Sequence, residues 1–430
     1  MSYFKTIKLF LALFFLLGCS NKTGVEDKIF NDGVVTNITK YKIGFTAEVV
    51  NLVPSFPPAI GSSLKFKEKL ENGSLLFYSI SDRGPNYPVE NLKIGSKDIS
   101  GLICFHPKFS PFISLVEVNP GISATVIDYK TITKDNQPIN GLTNYYNAKE
   151  KMLTANTEEI KNPHFGLDTE SLSLDKDGNF WIGDEYGPSL NFVDSNGSII
   201  KSYIPGDGLP GILKHRQMNR GFEALDVTPS GKVYAILESA LDINSETKKT
   251  ARFIRMLELD PTSGKVRMFA YPLRDSQLIG QLKIKVSDLA AISDSQFLVA
   301  EQVVDQDKKM SHVIYKIDLK DASDIGDIKL ANGKDLEYGA MLELQDIRMV
   351  KKEVLFVAET YGWEYEKLEG LAIIDNKTIA VTNDNDFGIS HIKVNECKSA
   401  DQCNMVDSVP SELNKNTHIW IINLTKPLIK

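Results

Sequence analysis

Two stretches of this chain repeat one another, and few folds can use the repeat. The first runs Asp168-Thr169-Glu170-Ser171-Leu172, turns at Asp177-Gly178, and returns as Phe180-Trp181-Ile182-Gly183-Asp184-Glu185. The second runs Gly221-Phe222-Glu223-Ala224-Leu225, turns at Pro229-Ser230-Gly231, and returns as Val233-Tyr234-Ala235-Ile236-Leu237-Glu238. Each opens on a Glu, makes a short apolar strand, reverses at a Gly-containing turn, and comes back to another acid. Glu170 and Glu185 are 15 residues apart, as are Glu223 and Glu238. A hairpin folds its two ends together, so each copy delivers its acids to the same edge of a sheet.

The unit returns further along. Val286 to Ile292 leads through Ser293-Asp294 to Gln296 through Glu301, with Asp288 read in the place of Glu. Leu368-Glu369-Gly370-Leu371 leads through Asp375-Asn376 to Thr378 through Asp386. Other strand-like runs lie between, at Tyr41–Val50, Ser74–Ile80, Pro111–Val118, Ile122–Tyr129, Arg252–Leu259 and His312–Leu319. Helical periodicity is almost absent. Units of about 50–60 residues, each a few strands, predict an all-β propeller. Dividing about 390 folded residues by that period predicts six or seven blades. Thr417–Leu424 is placed to pair with the first strand and close the ring. A β-sandwich with long hairpins is the alternative architecture.

The first residues stand apart from this pattern. Lys5 and Lys8 precede an apolar run, Leu9–Leu17, that is too short to span a bilayer. It ends in Leu16-Leu17-Gly18-Cys19, which resembles a bacterial lipobox and implies cleavage before Cys19 with lipid on its sulfur. Residues 1–18 thus read as a signal peptide, 19–39 as a lipidated Cys and polar tether, and 40–430 as a single domain. Ser20 after the Cys points to an outer-membrane anchor in a Gram-negative envelope. The formal charge is −7, and no basic run occurs, which argues against nucleic acid as a partner. The expected partner is a small molecule, the membrane is met only through the N-terminal lipid, and the chain is expected to be a monomer. In an oxidising compartment Cys397 and Cys403 predict a local disulfide, which leaves Cys104 as a buried apolar residue.

Taken together, five motifs carry a resemblance. Asp82-Arg83-Gly84-Pro85, Trp181 to Pro188, Asn219 to Leu225, Lys367 to Ala372 and Asn383 to Gly388 resemble the phytase-like, "esterase-like activity of phytase" family. The resemblance covers nearly the whole mature chain, with the motifs in the expected order. It implies a β-propeller and hydrolysis of phosphoesters or other esters. The chain departs from the usual Glu-Gly-Leu wording at Glu170-Ser171 and Glu223-Ala224.

In a propeller the inner strands line the axis, so acids at equivalent strand ends form a ring around one mouth. The candidate metal ligands are Asp82, Glu170, Asp184, Glu185, Glu223, Glu238, Glu369, Asp384 and Asp386, with Glu301 a further member of the ring. So many carboxylates at close quarters repel unless some stay protonated or a cation joins them. Oxygen-only ligands suit Ca²⁺, with Asn219, Asn383 and Asn385 able to add carbonyls, whereas Zn²⁺ would call for His or Cys. Arg83 and Arg220 are placed to hold a phosphate, with His215 and Asn219 as further substrate contacts; His164, Arg216 and His391 lie near the same motifs. The expected chemistry is attack by a metal-activated water, with Glu185, Glu223, Arg220 and Arg83 as the catalytic group. The alternative is a non-catalytic propeller stiffened by Ca²⁺ that binds a ligand or partner protein. No nucleophile-elbow, His-Glu-x-x-His or phosphate-loop motif competes with either reading.

Overall fold

A computed structural model describes residues 25–30, 33–94, 97–143, 151–161, 165–273, 283–304, 309–395, 406–412 and 414–429. Among these the chain forms five four-stranded antiparallel blades. Blade 1 runs outward from the axis as Ser63–Lys69, Leu75–Ile80, Phe112–Asn119 and Ser123–Thr131. Blade 2 is Thr169–Leu174, Phe180–Asp184, Ser189–Val193 and Ile199–Pro205. Blade 3 is Phe222–Val227, Val233–Leu237, Phe253–Leu259 and Val266–Pro272. Blade 4 is Lys283–Ala291, Gln296–Val304, Met310–Asp318 and Lys351–Val357. Blade 5 is Gly370–Asp375, Thr378–Thr382, His418–Leu424 and Val35–Gly44. Each innermost strand packs on the innermost strand of the next blade, and the fifth packs on the first.

The ring closes as expected. The C-terminal strand His418–Leu424 pairs with the N-terminal strand Val35–Gly44 inside blade 5. Ile43 and Gly44 then pair in parallel with Ala124 and Thr125, which stitches the rims of blades 5 and 1. Closure of this kind ties Val35–Gly44 and His418–Leu424 into one sheet, so neither of these two strands is left as a free edge.

The core lies between blades rather than within them. Ile80 and Ile113 meet Leu172, Phe180 and Ile182 between blades 1 and 2. Ala290, Leu298 and Ile314 meet Leu371, Ile379 and Trp420 between blades 4 and 5. A blade is covered on both faces, so its inner strands read as continuous apolar runs; all five residues of Val233–Leu237 are buried.

Three expectations are corrected here. The ring has five blades among the described residues, not six or seven, because long stretches leave it. Asn86–Ile94 and Lys97–Cys104 form a side hairpin, and Ile389–Val394 pairs with Val406–Pro410. These two insertions share a small core of Ile94, Ile103, Leu153 and Val406. The first strand ends at Gly44, and Ala47–Val50 is one turn of helix capped by the Thr46 hydroxyl, not strand. The tether drawn over 19–39 is in part strand, since Val25–Ile29 pairs with residues 37–41 of Val35–Gly44. Cys19, His164, Cys397 and Cys403 lie outside the described residues.

Candidate functional site

The register of the hairpins sets the site. In blades 2, 3 and 4 the innermost strand carries a one-residue irregularity, between Thr169 and Ser171, Phe222 and Ala224, and Val286 and Asp288. The residue skipped by the ladder is Glu170, Glu223 and Ser287. A bulged residue is released from pairing and re-aimed, which is how these blades turn it to the axis. Glu369 of blade 5, just before Gly370, and Ser62 of blade 1, just before Ser63, stand at the same step. Two residues past the partner of the following position, the second strands offer Asp82, Glu185, Glu238, Gln302 and Asp384. The mouth therefore carries two tiers, acidic everywhere except at Ser62, Ser287 and Gln302.

Small residues allow the tiers to close up. A Cβ on Gly221 would stand 2.2 Å from the Glu185 carbonyl oxygen, so only glycine lets blade 3 begin against blade 2 there. A Cβ on Gly370 would stand 2.0 Å from the Thr382 hydroxyl and 2.9 Å from Leu64. The same step holds Ser171 and Ala224 in blades 2 and 3, which accounts for the small residue after each Glu.

Among the described residues the acids converge in three groups, each with carboxylate oxygens within 4.8 Å of one another: Asp82, Asp168 and Glu170; Asp82, Asp384 and Asp386; and Glu185, Glu223 and Glu238. Among the described residues, four cations enter the mouth. Arg83 donates through Nη1 to Asp168 and Asn219 and lies 3.9 Å from both Asp82 and Glu185. Arg220 meets Glu238 at 2.6 Å and Ser239 at 2.9 Å, and Lys285 pairs with the same Glu238. Lys367 reaches Asp386 at 2.9 Å, Asp384 at 3.2 Å and Glu369 at 3.4 Å.

The cations leave a deficit. Burial first, then Asp82, Glu223, Glu185 and Glu369, hold the Glu170 carboxyl well above its ordinary range; the strongest influences on it include no cation. Burial and then Glu185, Glu238 and Glu369 push Glu223 up in the same way. Burial followed by Glu238 takes Glu185 up to about 7. Three buried carboxylate oxygens of the mouth, Asp168 Oδ1, Glu223 Oε2 and Glu369 Oε2, have no hydrogen-bond partner among the described residues; Glu301 Oε2, outside it, is a fourth. A buried unpaired carboxylate oxygen is costly, and a hard cation supplies what it lacks.

Several expected ligands are committed elsewhere. Asp184 is one step out of phase with Glu185. Its carboxylate accepts from the backbone of Asp168, Tyr186 and Gly187 and from the Ser189 hydroxyl, at 2.9–3.1 Å, so it locks its own loop. Glu301 is out of phase in the same sense and holds Tyr271 at 2.6 Å together with Lys352. Asp288 does not take the Glu position, which belongs to Ser287. Its carboxylate instead accepts from Leu289 N at 2.8 Å, Leu371 N at 2.7 Å and the Ser63 hydroxyl, and so pins blades 4, 5 and 1. Asn383 accepts from His418 N at 2.7 Å, and Asn385 accepts from Phe387 N at 3.2 Å, which occupies both amide oxygens with the backbone.

Arg83 is only 9% exposed, its Nη1 is committed to Asp168 and Asn219, and its buried Nε has no hydrogen-bond partner among the described residues. Arg220, at 28%, is the more accessible of the two. His215 lines a neighbouring cavity rather than the mouth, and His391 is exposed on the blade 5 insertion. Asp168, Lys285, Lys367 and Gln302 belong to the site although the repeat did not single them out. The signal was available for three of them: Asp168, Lys285 and Lys367 all sit two residues before the Glu step of their blades.

Fold and site together define an all-β propeller whose axial mouth is lined by buried acidic clusters that could hold a metal ion. The chain belongs to the phytase-like family, described as esterase-like activity of phytase, whose pattern matches residues 69–387. An uncharacterized secreted protein of Arthroderma benhamiae is 30% identical over 122 residues, 22% of this chain and 24% of that protein. The match thus spans about a quarter of that relative's length. An α-L-arabinanase of Penicillium chrysogenum is similar over 87% of this chain and 98% of its own, at 12% identity and a TM-score of 0.32. A mannose phosphorylase of Leishmania mexicana is similar over 89% of this chain and 87% of its own, at 8% identity and a TM-score of 0.37. No helix among the described residues is long and apolar enough to cross a membrane.

Proposed function

We propose that the protein is a Ca²⁺-dependent phosphoester hydrolase of the bacterial envelope, anchored by lipid on Cys19 and built as a single domain that takes in the strands Val25–Ile29 and Val35–Gly44. The observation that carries the reading is the charge deficit around Glu170, with the unpartnered oxygens of Asp168, Glu223 and Glu369 beside it. Asp82, Asp168 and Glu170 would hold the cation, and the charges of Glu223 and Glu369 bear on Glu170 beside it. Six to eight oxygens at about 2.3–2.6 Å favour Ca²⁺ over Zn²⁺ or Mg²⁺ at such a site. A cation held there would supply Lewis-acid chemistry, polarising a phosphoryl oxygen and making water a better nucleophile.

The chain's own residues supply the rest. Arg220, on the open side of the mouth, contacts the phosphate while Glu238 fixes its guanidinium. Glu185, between Arg83 and the Glu223–Glu238 pair, accepts the proton of the attacking water. Arg83 orients Asp168 and Asn219 rather than the substrate. The test is hydrolysis of p-nitrophenyl phosphate and bis-p-nitrophenyl phosphate with Ca²⁺ and with EGTA. Turnover that EGTA abolishes, and that Arg220→Ala lowers a hundredfold without a change in melting temperature, supports the proposal. No turnover of either ester in Ca²⁺ defeats it.

The commitment of Arg83 to Asp168 and of Lys367 to three acids favours a second reading, in which Ca²⁺ only stiffens the mouth and the face binds a ligand or partner protein. On that reading EGTA lowers the melting temperature and no ester is cleaved.

A further inference from the structure

A cavity of about 930 Å³ opens next to the mouth, against the loops of blades 2 and 3. The loop that carries Glu185 in the mouth lines this cavity with Gly187 and Ser189. The segment that gives Asn219 to Arg83 lines it with His215 and Arg216. The two spaces share walls but differ in charge. The mouth is crowded with carboxylates, whereas Lys134, Lys214 and Arg216 face the cavity.

Each of these cations is held in place. Lys134 Nζ lies 3.7 Å from the centre of the Phe165 ring. Lys214 lies over the turn at Gly206, where a Cβ would come within 3.0 Å of its ammonium. Gly206 adopts φ +89°, so the turn is built for glycine and leaves that space to the lysine. Arg216 donates to the Tyr186 carbonyl at 2.7 Å and to the Gln217 carbonyl at 2.8 Å. Among the described residues, neither Lys134 nor Lys214 makes an ion pair. Of the two acids in the lining, Asp242 is turned into its own loop, accepting from the backbone of Thr247 and Lys248 at 3.2 Å.

We propose that this cavity is a second ligand site, which takes a tetrahedral oxyanion carried on a polar organic group. Oriented ammonium groups without carboxylate partners repel cations and gain nothing from an apolar guest. An oxyanion supplies the counter-charge that Lys134 and Lys214, both in the lining, lack. The volume is that of a site for a small organic molecule rather than for a bare ion. Partial burial also lowers the Lys134 pKa, the response of an ammonium whose counter-charge is only the adjacent Asp135. The inference stands apart from the axial reading, since it needs no metal.

The experiment is calorimetric titration of inorganic phosphate into the full chain in excess EGTA, which disables any calcium-held phosphate in the mouth. Binding persists in EGTA, and the double variant Lys134→Glu/Lys214→Glu weakens it tenfold or more. Lys214→Gln alone, at an exposed position, weakens it threefold and guards against misfolding of the double variant. Absence of phosphate binding in EGTA overturns the proposal, as does binding that Lys214→Gln leaves unchanged.

Discussion

The Gln302 amide nitrogen lies 3.4 Å from Glu369 Oε1, at the step where the other four blades present Asp82, Glu185, Glu238 and Asp384. A neutral donor there relieves the mouth of one more negative charge. Gln302→Glu therefore sets a carboxylate directly against Glu369, at a position only 5% exposed. Each pKa unit by which the pair then shifts corresponds to about 1.4 kcal/mol. The variant is expected to melt lower in EGTA, by about 1–2 kcal/mol, and to gain more from added Ca²⁺ than the parent does. Thermal unfolding with and without Ca²⁺ measures both. An unchanged melting temperature in EGTA would show that the mouth does not concentrate charge.

Glu170→Gln is the opposite manipulation. It removes the carboxyl whose strongest neighbours are all acids, so the chain in EGTA is expected to become more stable, while Ca²⁺ affinity drops tenfold or more. Glu369→Gln is expected to act in the same direction but less, because Lys367 already compensates Glu369 at 3.4 Å. Calcium titration by calorimetry ranks the two. Equal affinity in the parent and both variants would remove the metal from these residues.

The hairpins were legible because a strand shows its two-residue period and a Gly turn shows its reversal; the phase within them was not. Asp288 reads as the equivalent of Glu170, yet the bulge puts Ser287 at that step, and a one-residue slip sends a side chain to the opposite face. Asp184 and Glu301 fail for the same reason, each adjacent to a residue that does face the axis. The blade count failed for another reason. The insertions after Arg83 and Asp386 consist of strands too, and nothing local separates a strand of the ring from one beside it. Lys285 was missed because its partner Glu238 comes from the neighbouring blade, which only the closed ring brings to it; Lys367 meets acids of its own hairpin, Glu369, Asp384 and Asp386, and only its place two residues before Glu369 marked it.

Arg255 and Glu337 form the most deeply buried bidentate pair described, at 2.6 and 2.9 Å, with side chains 2% and 1% exposed. The pair fastens a turn of the 336–338 segment, inserted from blade 4, against blade 3. Glu337→Ala strands the guanidinium in the core and is expected to cost about 3–5 kcal/mol. Replacing both partners, as Arg255→Met/Glu337→Leu, removes the stranded charge and is expected to cost much less than the single change. Urea unfolding of the three variants decides this; a double variant as unstable as Glu337→Ala would mean that packing, not charge, dominates here.

His418 gives the chain an acid-side weakness that does not involve the mouth. Its ring stacks on Tyr365 at 4.6 Å, and Nδ1 has no hydrogen-bond partner among the described residues. Burial, with Lys42 and Lys40 adding to it, takes its pKa from 6.5 down to about 4. Between those values the unfolded chain binds a proton that the folded chain refuses, so stability falls as pH drops from about 6.5 towards 4 and is flat for this group outside that window. At pH 5 the loss from this group is on the order of 1–2 kcal/mol. His418→Gln cannot take up the proton in either state. The parent is therefore expected to lose more melting temperature than His418→Gln between pH 7 and pH 5, whatever the variant costs at pH 7. Parallel curves of melting temperature against pH for the two proteins would mean that the ring is protonated as readily in the fold as out of it.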